Sequence, residues 1–183
     1  MLALLTAALA GCSAGGPQPT APGATPAPSA GAAADPIPPV RDPKNLAGTP
    51  PCQLLSPTQL VSIRIDLPAR SKDVAGAPGC AWTDKAHTRE ISMWSDIGPD
   101  VLHNIYAQRA TFPVFEVILV AGHPAIRSKD VANGPSCEIQ VAAAERQTLT
   151  LRFTSLGDGL EEPCGPARAL AEDVMANLPP LKS

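Results

Sequence analysis

The sequence predicts an α+β domain, a mostly antiparallel sheet of about five to seven strands with about three helices packed largely on one face. Three observations lead there. Segments of alternating polarity come in pairs joined by polar turns. Amphipathic helical stretches flank those pairs. The last four of the 5 cysteines stand where one kind of segment gives way to the other.

Taken in order, Ser56-Pro57-Thr58-Gln59 is a capping box with proline at the first helical position, and Leu60, Ile63 and Leu67 continue it as an apolar stripe. Cys80 opens a strand containing Trp82. CAWTD, a polar turn and EISMWS make a first hairpin, and GPDVLHNIYAQRA supplies the next helix. Phe115–Val120 and Ala125–Arg127 read as apolar strands joined by a tight bend at Gly122-His123-Pro124-Ala125. Cys137, Ile139 and Val141 then alternate with Glu138 and Gln140, and Leu149, Leu151 and Phe153 alternate with Thr150 and Arg152. These form a second hairpin with one apolar face. Ala167, Leu170, Ala171, Val174, Met175 and Leu178 fall on one helical stripe, with Pro166 near its start and Pro179 just after its end.

The N-terminus bears on location. Residues 2–10, LALLTAALA, have the length of a signal-peptide apolar region and are too short to span a bilayer. They lead into Leu9-Ala10-Gly11-Cys12, which reads as a lipoprotein processing site: residues 1–11 are a lipoprotein signal peptide and Cys12 is the lipidation point. More than one acyl chain on Cys12 would hold the protein at the outer face of the cell membrane. Residues 13–51 hold half of the chain's 22 prolines with Ala, Gly, Ser and Thr between them. Such a composition cannot offset its ordering entropy, so 12–51 reads as a disordered tether carrying the lipid, and 52–183 as the globular domain.

Outside the membrane an even number of cysteines favours disulfides. Zinc is the poorer reading, since there is no CxxC or close Cys/His pair. Three pairings are open to Cys52, Cys80, Cys137 and Cys164. The last helix must lay its stripe on the second hairpin, bringing Cys164 to Cys137. By analogy Cys52, ahead of the first helix, meets Cys80.

The chain also repeats itself. RSKDVAGAPGC from Arg70 and RSKDVANGPSC from Arg127 agree at eight of eleven positions. Each leads into a cysteine-headed hairpin and then a helix. The repeat therefore reads as an internal pseudo-repeat of a structural block, with local convergence as the alternative. A functional version would place Arg70, Lys72, Arg127 and Lys129 on equivalent loops at one end of the sheet, ready for an anionic ligand or partner. The bland version has Asp73 and Asp130 neutralising their own neighbours, and it is the favoured one.

Gly79-Cys80-Ala81-Trp82, Gly122-His123-Pro124-Ala125, Cys137-Glu138-Ile139-Gln140-Val141, and Pro163-Cys164 leading into ALAEDV and Leu178-Pro179 resemble an actinobacterial lipoprotein family of unknown function. The resemblance covers roughly Cys52 to Pro180. It implies a lipobox, a Pro/Ala-rich tether and one domain with two cysteine pairs. It implies no catalytic residue.

The residues nominate little chemistry. There is no GxSxG, HExxH, Walker loop or GxGxxG. His87 reads as a turn residue, His103 as the polar side of a helix, and His123 as a turn histidine. Glu161 and Glu162 precede a helix start, where negative charge is favourable, and Asp158-Gly159 is a turn signal. Trp94 is the side chain that asks for an explanation: it falls on the polar face of EISMWSD with Glu90, Ser92 and Asp96. Cover by a helix is the expectation, and a binding anchor is the alternative.

A formal net charge of -3 gives no electrostatic footprint for nucleic acid. The expectation is a lipid-anchored extracytoplasmic binding domain of the bacterial envelope without catalytic activity, metal or cofactor. It would meet the membrane through Cys12, and an unknown envelope protein or small ligand through its fold. A small-ligand or lipid carrier is the alternative, and a hydrolase with an unrecognised site the weaker one.

Overall fold

The computed structural model describes residues 35–74, 76–157 and 162–182. Cys12, the signal peptide, the tether up to residue 34, and Asp158, Gly159 and Glu161 lie outside the described residues.

The strands are β1 (Arg70–Val74), β2 (Ala77–Thr83), β3 (Arg89–Ile97), β4 (Val114–Val120), β5 (His123–Lys129), β6 (Ser136–Ala144) and β7 (Gln147–Ser155). They form one 7-stranded sheet in the order β1-β2-β3-β7-β6-β5-β4, with every neighbouring pair antiparallel. Three helices accompany it: α1 (Pro57–Ser62), α2 (Val101–Ala107) and α3 (Cys164–Asn177). The α+β expectation holds, and the strand count reaches the top of the range.

Both disulfides form in the pairing that the local patterns favour, Cys52–Cys80 and Cys137–Cys164. Each closes a loop of nearly thirty residues, which the chain-entropy model values at about 3–4 kcal/mol. One face of the sheet carries Cys80, Trp82, Ile91, Met93, Cys137, Ile139, Leu149, Leu151 and Phe153, all buried. Against it lies the α3 stripe of Ala167, Leu170, Ala171, Val174, Met175 and Leu178, together with Leu54, Leu55 and Ile65. Large side chains buried this way contribute about 1.5–3 kcal/mol each. The Ser56–Gln59 capping box is present at α1, whose Leu60 and neighbouring Ile63 pack against the same core.

The second face is divided. On the β4–β6 side, Leu102, Ile105 and Tyr106 of α2 pack with Ile37, Phe115, Val117, Ile126 and Ala142. So α1 and α3 share one face while α2 takes the other. The remaining part of that second face is polar.

The compact unit begins at Asp35, earlier than the proline count suggested. Leu46 and Ile37 are buried. The segment is also tied down by backbone bonds: Lys44 N–H to the Ala143 carbonyl at 2.7 Å, Asn45 N–H to that of Pro179 at 2.8 Å, and Leu181 N–H to that of Pro43 at 2.8 Å. Sparse apolar residues among prolines were enough, because proline gives up little entropy on ordering.

The repeat has a geometric counterpart. With Cys80 matched to Cys137, Met93 matches Phe153 and Ser92 matches Arg152, and Ser92 and Arg152 face each other across β3 and β7. An approximate two-fold axis through that pair relates β1-β2-β3 to β5-β6-β7. The relation fails at the repeated stretch itself. Arg70 pairs with Ala81, whereas Arg127 pairs with Ile139, one residue further along. A one-residue slip turns every side chain to the other face.

Candidate functional site

A cleft of about 850 Å³ lies under the Asp35–Pro43 strap. Three pieces frame it: the strap, the start of α2 from Pro99 to His103, and the β6–β7 turn from Ala142 to Thr148. Ile37, Pro38, Pro39, Val40, Pro43, Val101 and Leu102 make an apolar wall. Asp35, Asp100, His103, Glu145 and Arg146 bring charge to it. Arg146 occupies the turn with φ 56, and its Nε–H donates to the Gly98 carbonyl, fixing the turn against the loop ahead of α2.

His103 links two of these pieces. Asp100 is the N-cap of α2, its Oδ1 accepting from the His103 N–H at 3.3 Å. One helical turn brings the His103 ring to the same oxygen, with Nδ1 at 2.9 Å. Nε2 reaches Asp35 Oδ1 at 3.0 Å, and that oxygen also accepts the Ile37 N–H at 2.9 Å. Hydrogen bonding to Asp100 and then to Asp35 raises the His103 pKa above its ordinary value. The Asp35 carboxyl is lowered by the Ile37 N–H and then by His103, and Asp100 chiefly by His103. The imidazolium donates from both nitrogens and clasps the strap to α2. A ring occupied on both sides has no free nitrogen to serve as a base in this state.

Trp94 sits on the polar part of the second face. Its row across the sheet is Gly79, Trp94, Thr150, Gln140, Ile126, Val117, so α2 packs over β5 and β6 while Trp94 lies two strands away on β3. The ring is half-buried and donates to Asp96, whose Oδ2 also faces the Thr150 hydroxyl at 3.4 Å. Burial against these groups raises the Asp96 pKa despite both bonds. Gly79 leaves room beside the ring: a Cβ there would stand 3.2 Å from the Trp94 Cβ and 2.8 Å from the Met93 carbonyl oxygen.

The four basic residues of the repeat do not meet. Arg70 and Lys72 lie on edge strand β1, on the Trp94 face, where Lys72 Nζ donates to the Ser92 hydroxyl at 3.2 Å. Arg127 and Lys129 lie on β5, on the disulfide face. Arg127 pairs with Glu116 at 2.6 Å, and the buried Lys129 reaches Glu162 at 3.3 Å. The alternative of equivalent basic loops at one end of the sheet is thereby corrected: the slip separates the residues by face, and antiparallel order puts the β1–β2 and β5–β6 connections at opposite ends of the sheet. The favoured neutralisation by Asp73 and Asp130 is corrected too, since Lys72, Arg127 and Lys129 pair with Glu90, Glu116 and Glu162 and Asp130 pairs with Arg152.

The other histidines serve structure. His87 sits in the Asp84–Arg89 turn with φ 54. His123 is buried, its Nε2–H donating to the Asp42 carbonyl at 2.7 Å and pinning the strap to the β4–β5 turn. Glu162 fills the helix-start role read for the acidic pair, since its Oε2 accepts the Cys164 N–H at 2.9 Å.

Sequence reasoning missed the cleft. Its one visible signal was the alternation of Ile37, Val40 and Leu46 with prolines, which marks an ordered strap only once α2 offers Leu102 to receive it.

Fold and cleft together define a disulfide-stapled, one-sheet α+β domain with a ligand-sized hollow beneath an N-terminal strap. The chain belongs to the family described as Protein of unknown function (DUF3558), which it matches over residues 7–177. No curated protein and no solved structure matches the chain.

Proposed function

We propose that this chain is a lipid-anchored, extracytoplasmic binding domain of an actinobacterial envelope, and that it takes a small, largely apolar ligand in the strap cleft. The single observation that carries the binding role is the cleft itself, about 850 Å³ with an apolar wall and a charged clasp among its lining residues. That volume and that mix of lining are what small-molecule sites have in common. The clasp suits a ligand with an apolar body and one polar end. Two disulfides and the Leu9-Ala10-Gly11-Cys12 stretch support an oxidising, membrane-tethered location. The family match begins at residue 7, so the end of the apolar run and Cys12 fall within it.

The test is native mass spectrometry of the full chain released from membranes in mild detergent. A discrete extra mass on the protein, lost in Val101→Trp, is the expected result. A bare protein in both forms defeats the cleft reading. Labelled fatty acid that fails to enter the chain, or that enters Cys12→Ala equally well, defeats the anchor.

A second reading, contact with an envelope protein, is favoured by the half-buried Trp94 on a sheet face outside the α2 footprint. Trp94→Ala would abolish that contact and leave ligand in the cleft.

A further inference from the structure

We propose that β4 is the surface through which two copies of this chain associate, edge to edge and antiparallel, joining their sheets into one. The argument starts from the contrast between the two edges of the sheet. The β1 edge is five residues long and exposes Arg70, Lys72 and Asp73, charges that discourage pairing. The β4 edge is seven residues, VFEVILV, with β5 on one side and, among the described residues, no strand on the other. Its one charge, Glu116, is neutralised by Arg127 at 2.6 Å. Leu119 is 52% exposed, and Phe115, Val117 and Ile118 are only partly covered.

Backbone direction fixes what kind of partner fits. The Leu119 carbonyl accepts from Nη2 of Arg168 on α3 at 3.3 Å, so it points away from β5. Alternation then turns the N–H and C=O groups of Phe115, Val117 and Leu119 outward together. A partner must supply a strand with matching donors and acceptors, and apolar side chains at every second position. Another copy of β4 meets both conditions. With the two strands related about Val117, Leu119 faces Phe115 of the second copy, and Glu116 faces Ile118 rather than a second carboxylate. Phe115 already stands against Tyr106 at 5.8 Å and Phe112 at 6.1 Å, so the exposed leucine would join an existing aromatic group. About six backbone bonds would form in three hydrogen-bonded pairs. The Arg168 guanidinium must release Leu119 when they do.

Sedimentation velocity on the full chain in mild detergent, from low micromolar to several hundred micromolar, tests this. A monomer–dimer equilibrium is expected. Leu119→Lys should weaken it about tenfold or more, while Arg168→Ala, which frees the carbonyl, should tighten it. Amide exchange compared at the two ends of the concentration range should show added protection at Phe115, Val117 and Leu119 and none on β1. A chain that stays monomeric throughout overturns the proposal, as does a dimer indifferent to Leu119→Lys or one that protects the β1 amides. Since Leu119 is half exposed, the lysine variant should keep its fold, and unchanged exchange on β6 and β7 checks that it does.

Discussion

Lys72 and Lys129 occupy the same place in two nearly identical stretches, yet the sheet turns them to opposite faces. Lys72 lies half-exposed beside Ser92 and Glu90, while Lys129 is buried and paired with Glu162 at the entrance of α3. Their removal should therefore have unequal effects. Lys72→Ala should change unfolding stability by less than about 0.5 kcal/mol, as exposed substitutions do. Lys129→Ala loses a packed stem and an ion pair that is buried on the lysine side only. With Glu162 itself 63% exposed, the cost should be about 2 kcal/mol rather than the larger figure for a pair buried on both sides. Urea unfolding of both variants measures it, and equal losses would contradict the slipped register.

The same register makes Gly79 a packing residue. Its missing side chain lets β2 sit against Met93 and Lys72, whose carbonyl oxygens would stand 2.8 and 3.1 Å from an added Cβ. Both are backbone atoms of flanking strands, so neither side can yield cheaply. Gly79→Ala should destabilise by about 1–3 kcal/mol, in the range of overpacked cores. The change should also move the emission of Trp94, the neighbour across the pair. A stable variant with unchanged emission would show that the strands have slack there.

Much of this fold was legible because its signals are local. The β6–β7 hairpin alternates cleanly, α3 carries an uninterrupted stripe, and those two elements alone bring Cys137 to Cys164. Other features depend on partners far away in the chain. RSKDV reads as a loop by composition and becomes β1 because an edge strand tolerates charge. The register slip goes with the two connections: β1 and β2 form a hairpin with Gly76 at φ 86, while residues 130–135 make a wider loop around Gly134 between β5 and β6. The two stretches differ there by only three residues. No periodicity reports on that. The strap stayed hidden for a similar reason, since Ile37 is an isolated apolar residue until α2 is placed beneath it.

Asp96 and Trp94 provide a reporter on the polar face. Burial raises the Asp96 pKa, so its folded state favours the protonated form. Stability from this group is present below the unfolded carboxylate pKa and is lost as pH rises through the folded value. Asp96→Asn should therefore be more stable than the parent at neutral pH. Because the carboxylate is partly solvated, the gain should stay below about 1 kcal/mol. The difference should vanish in acid. Unfolding curves at neutral and acidic pH, with Trp94 emission alongside, measure both. A variant less stable than the parent at neutral pH would mean that the bonds to Trp94 and Thr150 outweigh burial.

The His103 clasp should make the strap respond to pH in the opposite range. Asp100 and Asp35 raise the His103 pKa, and both carboxyls are lowered in return. By linkage, the histidine's contribution is complete below its unfolded pKa and disappears as pH rises through the raised folded one. The carboxylates' contribution is complete above their unfolded pKa values and fails as pH falls through the lowered ones. The strap should accordingly be held most firmly in mildly acidic solution, loosening toward alkaline pH and again in strong acid. After correction for the intrinsic rate, exchange at the Ile37 amide, which is bonded to Asp35, should speed up as pH is raised. His103→Gln should flatten that response while leaving the Lys44 and Asn45 amides, bonded to Ala143 and Pro179, protected as before. If Ile37 exchange has the same pH profile in both proteins, the ring does not hold the strap.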